Sequence, residues 1–304
     1  MTELEGILAV NKPAGWTSHD VVAKVRRLVK MKRIGHAGTL DPEVTGVLPL
    51  CLGRATRVVE YMQELPKEYR AVLRLGLSTD TEDLTGTVIE SVDEVKVTKV
   101  EAEETLRSFL GEISQVPPMY SAVKVDGKRL YELAREGKTV ERKSRLVNIR
   151  EIEMTGFEEH GAYTDISFRV LCSKGTYIRT LCVDIGRKLG LPSTMAKLER
   201  TLSAGISSSK CLTLEQIEQF MADGTLGSRL IPVDEAIVHL SAHTVIDEKR
   251  SAALQGQRLS ARAINPPVDH SDCIRLYDSE KRFLGIFQKQ EETGAIVPVK
   301  VFSV

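Results

Sequence analysis

Residues 34–57 constrain the fold more than any other stretch of this chain. They hold Gly35, Gly38, Gly46 and Gly53 together with Pro42 and Pro49. Glycine and proline at this density interrupt both helical and strand periodicity, so the pattern predicts one long loop over 34–57. A structureless loop of more than about 15 residues inside a compact domain is usually functional, and the flanking elements must then form its scaffold. On its N-terminal side, residues 6–10 are an apolar run suited to a buried strand, and Lys12-Pro13-Ala14-Gly15 forces a turn. Thr17 and Asp20 have capping-box spacing, and Val21, Val22, Val25, Leu28 and Val29 follow at helical spacing. This predicts a helix over 18–31 with a basic outer face. On the C-terminal side, Tyr69, Ala71, Leu73, Leu75 and Leu77 alternate with Arg70, Val72 and Arg74, which is a strand pattern.

The remaining elements alternate in kind. Thr98 and Glu101 form a second capping box before a helix ending near Leu110. Asp126-Gly127 lies between two short extended runs and predicts a hairpin. Ile166, Phe168, Val170 and Cys172 share one face of a strand. A helix follows with Ile178, Leu181, Cys182, Ile185 and Leu189 inward and Gly190 as its stop. Thr213 and Gln216 cap another helix that runs to about Asp223. After Asp234 the texture changes to a short helix at 247–254 and strand-like runs at 273–277, 283–288 and 295–302. The 304 residues are therefore expected to form an α+β protein of two unequal domains, 1–238 and 239–304.

Composition and charge remove several classes. No stretch approaches the roughly 18 apolar residues of a membrane span. The acidic opening Met-Thr-Glu-Leu-Glu lacks the basic and apolar regions of a secretory signal. The five cysteines, at 51, 172, 182, 211 and 273, contain no C-x-x-C pair. They argue against structural zinc and suit a reducing cytoplasm. Formal net charge is zero, yet the charge is segregated. Residues 21–40 carry six lysines and arginines and no acid, and residues 124–145 carry eight bases against four acids. Residues 80–112 reverse this, with ten acids against three bases. A neutral chain arranged in this way can present a basic face to a polyanion.

The sequence contains no G-x-S-x-G, G-x-G-x-x-G or G-x-x-x-x-G-K-[ST] motif, so nothing marks a serine nucleophile, a dinucleotide or a phosphate loop. His239 and His243 have the spacing of a zinc pair, but Leu240 stands where a zincin needs glutamate, and a structural pair is the stronger reading. Three segments concentrate reactive groups. In Gly35-His36-Ala37-Gly38-Thr39-Leu40-Asp41-Pro42 the proline restricts the backbone of Asp41, so its carboxylate can be aimed; an Asx-type turn closing the loop is the structural alternative. Ser173 to Thr180 joins a strand to a helix and gathers Lys174, Tyr177 and Arg179 at a helix start, where the dipole disfavours cations. Such an arginine suits a carboxylate or phosphate partner. In Lys67-Glu68-Tyr69-Arg70, Tyr69 opens a strand and is placed either to pack or to face a cleft.

Taken together, Asn11 to Ser18, Gly35 to Pro42 continuing through Thr45-Gly46-Val47-Leu48-Pro49, Lys67 to Arg70, Pro117-Pro118-Met119-Tyr120-Ser121-Ala122 and Ser173 to Thr180 resemble the TruB family of bacterial tRNA pseudouridine-55 synthases over about residues 5–235. The resemblance implies a mixed, mainly antiparallel sheet flanked by helices, followed by a small PUA-like RNA-binding β domain. It implies isomerisation of a uridine in the tRNA TΨC loop, with no cofactor and no metal, by a cytoplasmic, monomeric enzyme. By resemblance Asp41 is the catalytic aspartate, Arg179 pairs with it, and Tyr69 stacks on the flipped base and assists proton transfer. Tyr177 lines the pocket, His36 contacts displaced nucleotides, Leu198 closes the apolar side, and Lys12 and Arg57 join the substrate-binding set. A carboxylate suits a sugar centre that becomes oxocarbenium-like as its base leaves. The basic stretches 24–33 and 124–145 would hold phosphates, and 120–145 is a candidate RNA clamp. A non-catalytic tRNA-binding or tRNA-folding protein is the alternative from another class. A carboxylate-based nucleoside hydrolase, with Glu43 as a second acid, is the third.

Overall fold

The computed structural model describes residues 4–125 and 127–302. Residues 1–3, part of the acidic N-terminal stretch, and Asp126, at the apex of the expected hairpin, lie outside the described residues. The hairpin's flanking pairs, Lys124↔Arg129 and Val125↔Lys128, do form, with Gly127 at φ 84°.

The described residues form a nine-stranded sheet. Its main strands are β1 (Gly6–Lys12), β2 (Ile34–His36), β3 (Thr45–Leu52), β4 (Lys67–Leu75), β5 (Gly111–Gln115), β6 (Arg145–Glu159), β7 (Thr164–Cys172) and β8 (Ser193–Ser203). They run in the order β1-β3-β8-β4-β7-β6-β5, with β2 paired to β3 and Ile206–Ser207 paired to β8. All pairings are antiparallel except β3 with β8, which meet in parallel at Thr45↔Glu199 and Gly46↔Arg200. The edge strand β1 is not left open. Asn11 N donates to Leu212 O at 2.8 Å, Leu212 N to Ala9 O at 2.9 Å, and Ile7 N to Ile231 O at 2.8 Å, so later chain seals its unpaired groups.

Helix formation follows the capping signals. Helices α1 (Ser18–Val29), α3 (Lys99–Arg107) and α5 (Leu214–Ala222) each begin at a threonine that forms both halves of a capping box. The short α2 (Val59–Glu64) and the longer α4 (Ile178–Lys188) have no side-chain cap. α1 stops two residues before the expected end, because Lys30 turns into the left-handed region at φ 53°. α1 and α4 bury Val21, Val25, Leu181 and Ile185 on one sheet face with Leu8, Leu50, Leu73 and Phe168.

Residues 34–57 are not one loop. They contain β2, β3 and the start of a 3-10 turn, Gly53–Val58, which leaves 37–44 as the loop. Strand β3 is buried on both faces: Leu48, Leu50 and Leu52 join one apolar cluster, and Val47 and Cys51 another. It therefore lacks the polar alternation that marks a half-exposed strand. Its glycine and proline have local causes. Gly46, at φ 102°, lies so close to β8 that a Cβ there would sit 2.2 Å from Arg200 O. The Pro49 carbonyl accepts from Ala37 N at 2.9 Å, so the missing proline N–H falls where the β2 ladder ends. Gly46→Ala is accordingly expected to lower the unfolding free energy by about 2–4 kcal/mol in urea denaturation, since both the backbone conformation and the β3–β8 contact must yield.

After residue 240 a second sheet forms from β9 (Ser241–Val245), β10 (Ile264–Asn265), β11 (Cys273–Tyr277), β12 (Phe283–Lys289) and β13 (Ile296–Val301), in the order β10-β9-β11-β12-β13. Helix α6 (Asp247–Leu254) lies where the sequence places it. His243 is on β9, not on a helix, so His239 and His243 do not share a helical face. The His243 ring bonds Pro266 O at 2.7 Å and Ser241 Oγ at 3.0 Å. Ile286 and Phe302 join Ile7, Val47, Val58 and Met62 in one apolar cluster that seats the second sheet against the first. Among the described residues no helix is long and apolar enough to cross a membrane.

Candidate active site

The loop at 37–44 is held at nearly every turn. Ser18 Oγ accepts from Leu40 N at 2.9 Å and donates to Leu40 O at 3.2 Å. Gly15 N donates to Pro42 O at 3.0 Å, and Val44 N closes back onto Asp41 O at 3.1 Å. Two buried cations finish the clamp. Lys12 Nζ donates to Pro42 O, Trp16 O and Pro13 O at 2.8, 2.6 and 2.8 Å. Arg200 spreads its guanidinium over Val47 O at 2.9 Å, Gly38 O at 3.0 Å and Thr39 O at 3.4 Å. Lys12 is fully buried and Arg200 is 1% exposed, and neither forms an ion pair among the described residues. Buried charges of this kind persist only when backbone dipoles take the place of water.

Asp41 projects from the clamped loop with its side chain 45% exposed. Beneath it lies Arg179, whose side chain is 7% exposed and whose Nη2 is 3.0 Å from Asp41 Oδ2. The same guanidinium donates to Thr81 O at 3.0 Å and Tyr120 O at 2.6 Å. Arg179 is thus oriented by two carbonyls from distant segments before it meets the carboxylate. Its place at the first turn of α4, which the helix dipole disfavours, is offset by these three acceptors.

Tyr69 stands on β4, opposite Arg200 on one side and Val170 on the other. It is 8% exposed, and its hydroxyl meets the Arg200 guanidinium. Burial pushes its phenol above the ordinary value, so the hydroxyl keeps its proton at neutral pH. Leu198 on β8 and Ile178 on α4 belong to the same apolar cluster as Tyr69. Tyr177 precedes α4 and is half-buried. The Gln115 amide holds its backbone on both sides, accepting from Tyr177 N at 3.1 Å and donating to Tyr177 O at 3.2 Å. His36 ends β2, packs edge-on against His19 at 5.6 Å, and has a buried Nδ1 with no hydrogen-bond partner among the described residues. Burial, with help from His19 and Arg200, pushes its ring below the ordinary histidine value.

The structure therefore gathers Asp41, Arg179 and Tyr69 around one clamped loop, whose base is formed by β2, with His36 at its end. Leu198, like Tyr69, belongs to the apolar cluster beside that loop. Lys12 is here too, but as an internal tie rather than an exposed contact. Arg57 is elsewhere. Its Nη1 donates to Val301 O at 2.5 Å and its guanidinium covers the Phe302 ring at 5.3 Å, so it joins the two sheets. Sequence reasoning did not single out Arg200, Ser18 or Gln115. A signal for Arg200 was present: it falls in strand register with Leu198, so an inward leucine implies an inward arginine.

Burial lowers Lys12 to about 8, against the opposing pull of Glu43 and Asp41. Above that pH the amine loses a proton and one of three carbonyls loses its donor. Turnover is expected to fall through about pH 8, and Lys12→Arg to push that limb to higher pH. Stability moves the other way. Between about 8 and the ordinary 10.5 the unfolded chain binds the extra proton, so resistance to urea rises with pH; Lys67, also lowered to about 8 by burial, adds in the same direction. A pH–rate profile beside urea midpoints at the same pH values checks both signs.

Comparison with known proteins points one way. Residues 26–178 match the TruB family pseudouridylate synthase N-terminal domain, and residues 179–238 match the tRNA pseudouridylate synthase B C-terminal domain. The latter segment supplies β8 to the main sheet. The chain is 44% identical over 304 residues to tRNA pseudouridine synthase B of Geobacillus thermodenitrificans (strain NG80-2), covering 98% of this chain and 100% of that protein. It is 42% identical over 301 residues to tRNA pseudouridine synthase B of Bacillus subtilis (strain 168), covering 98% and 97%. Among solved structures, an H/ACA RNP bound to a substrate RNA containing 2'-deoxyuridine matches with a TM-score of 0.76 and 26% identity, over 99% of this chain and 86% of that one.

Proposed function

The chain belongs to the TruB family of pseudouridylate synthases, and from that premise we propose that it converts a uridine of the tRNA TΨC loop to pseudouridine. The observation that carries this reading is the Asp41–Arg179 pair at 3.0 Å, with the carboxylate facing solvent and the guanidinium buried behind it. In the reaction the N1–C1′ bond breaks, the base turns, a C5–C1′ bond forms, and the C5 proton is lost while N1 gains one. Atoms and electrons balance within the nucleotide and solvent, so this chemistry needs no redox partner and no group donor.

The residues divide the work. Asp41 meets the sugar and stabilises the positive charge that develops at C1′ as the base leaves. Arg179 holds that carboxylate in one orientation, which the two backbone carbonyls reinforce. The target base lies in a folded loop and must be extruded first. Stacking on an aromatic ring offsets roughly 1–3 kcal/mol of that cost per base, and Tyr69 is the ring beside the pair. Its protonated hydroxyl is suited to donate during proton transfer. His36 has an unused buried nitrogen where a displaced nucleotide would hydrogen-bond. Leu198 and Tyr177 border the base. Lys12 acts by holding the loop, and Arg57 by holding the second sheet, so both serve substrate binding indirectly.

Residues 1–238 form the catalytic unit and residues 239–304 a PUA-like RNA-binding unit, acting in the cytoplasm as a monomer. A tRNA transcript tritiated at uridine C5 tests the reading. Release of tritium to water without release of free uracil supports it. Bound tRNA with no tritium release would replace it with a tRNA-folding role, and free uracil would indicate a hydrolase.

A further inference from the structure

We propose that Glu82 is a positioning residue for Arg179, fixing the helical turn that carries the guanidinium. The inference rests on the reading of Asp41 and Arg179 given above.

Glu82 lies in a tight turn between the strand Leu77–Thr79 and the strand Val88–Ser91. Its backbone is left-handed, at φ 63°, a conformation few non-glycine residues adopt without support. The support is visible. Glu82 N donates to Thr79 O at 3.3 Å, and Glu82 O accepts from Met195 N at 3.1 Å. Asp83 Oδ1 accepts from Thr81 Oγ1 at 2.7 Å and Thr85 Oγ1 at 2.5 Å, closing the turn from within. This backbone aims two neighbouring groups at α4. The Thr81 carbonyl accepts from Arg179 Nη1 at 3.0 Å, and the Glu82 carboxylate accepts from Thr180 Oγ1 at 2.8 Å. Consecutive residues of the turn therefore grip consecutive residues of the helix.

The charges around Glu82 extend the link. From α4 it faces Arg179, Thr180, Cys182 and Asp184, and from the segment after the helix Leu130–Arg135 it faces Arg142. Arg142 Nη1 donates to Pro117 O at 3.0 Å, and Arg179 Nη2 donates to Tyr120 O at 2.6 Å. Arg142 and Arg179 thus hold the same short stretch of chain. Arg179 has the Asp41 carboxylate at 3.0 Å on its solvent side, and the Glu82 charge acts on it from the neighbouring turn. Burial pushes the Glu82 carboxyl above the ordinary carboxylate value, against the pull of Thr180, Arg179 and Arg142. The group therefore takes up a proton at a higher pH than an ordinary carboxylate does.

The test uses the full-length protein and tritium release from tRNA. Glu82→Ala is expected to lower kcat by about 10- to 50-fold with KM within about 2-fold of wild type. Glu82→Gln keeps an acceptor for Thr180 but no charge. It is expected to lower kcat by about 3- to 10-fold and to flatten the acidic limb of the wild-type profile. Thr180→Val, which leaves the charge in place, should reproduce part of the Glu82→Ala loss without flattening that limb. A Glu82→Gln protein with wild-type kcat and an unchanged pH profile overturns the proposal. A second readout needs no turnover: in protein labelled with 15N-arginine, the Arg179 Nε–H resonance, assigned by its loss in Arg179→Lys, should exchange with water faster in Glu82→Ala than in wild type. Unchanged exchange also overturns it. Wild-type tritium release judges the function itself, so the two failures are read separately.

Discussion

Asp41→Asn is expected to reduce tRNA pseudouridylation by at least about 10⁴-fold while leaving tRNA affinity within about 3-fold of wild type. The substitution removes a charge and little else. Asparagine occupies the same volume, and the backbone bonds that hold the loop, from Ser18 to Leu40, from Lys12 to Pro42 and from Arg200 to Gly38, do not involve the Asp41 side chain. Position is thus retained and the negative charge lost. The amide is a poor nucleophile and stabilises positive charge weakly, whether it faces C1′ or the base. Arg179 would also lose its solvent-side countercharge, although Thr81 O and Tyr120 O continue to hold it. The measurement is single-turnover tritium release beside filter binding of the same transcript. Residual activity within 100-fold of wild type would remove Asp41 from the reacting centre.

Arg200→Met is expected to give the largest loss of stability among the changes considered, about 3–5 kcal/mol in urea denaturation, with a fall of about 10²-fold in kcat for the protein that remains folded. Methionine follows the arginine stem through the core but donates nothing. Val47 O, Gly38 O and Thr39 O would lose their donor together, and the Tyr69 hydroxyl its neighbouring cation. Each carbonyl left buried without a donor costs about 1–3 kcal/mol, partly offset because a buried charge is also removed. Arg200→Lys is the informative companion. It keeps the charge, but a point ammonium cannot span three carbonyls in a fork, so it should recover part of the stability and less of the rate. Equal recovery of both would mean that charge, rather than the geometry of the fork, is what the loop requires.

Much of this protein was legible before folding was considered. The capping boxes at Thr17, Thr98 and Thr213, the alternation of β4 and β7, and the stop at Gly190 are local signals, and each element formed where its signal lies. Asp41, Tyr69 and Arg179 stand out in sequence because each combines a reactive side chain with a constrained place: before a proline, at a strand start and at a helix start. One region is misread, for a tertiary reason. The stretch 34–57 looks like a loop because β3 is buried on both faces and carries Gly46 and Pro49. Those residues make sense only once β8 and β2 are beside it. Arg57 reads as an RNA-binding cation, yet its partners are Val301 O and Phe302, more than two hundred residues away in the chain.

Capped helices, alternating strands and the constrained place of Asp41 are thus written in the sequence, because capping, alternation and turn chemistry act over a few residues. Which cations face solvent and which are internal ties depends instead on how the segments pack. Lys12 and Arg200 are as charged in the sequence as Lys24 or Arg27, but folding surrounds them with carbonyls from segments that lie far apart in the chain. A charged side chain is stable inside a protein only where such dipoles converge, and convergence is a property of topology that no local pattern encodes.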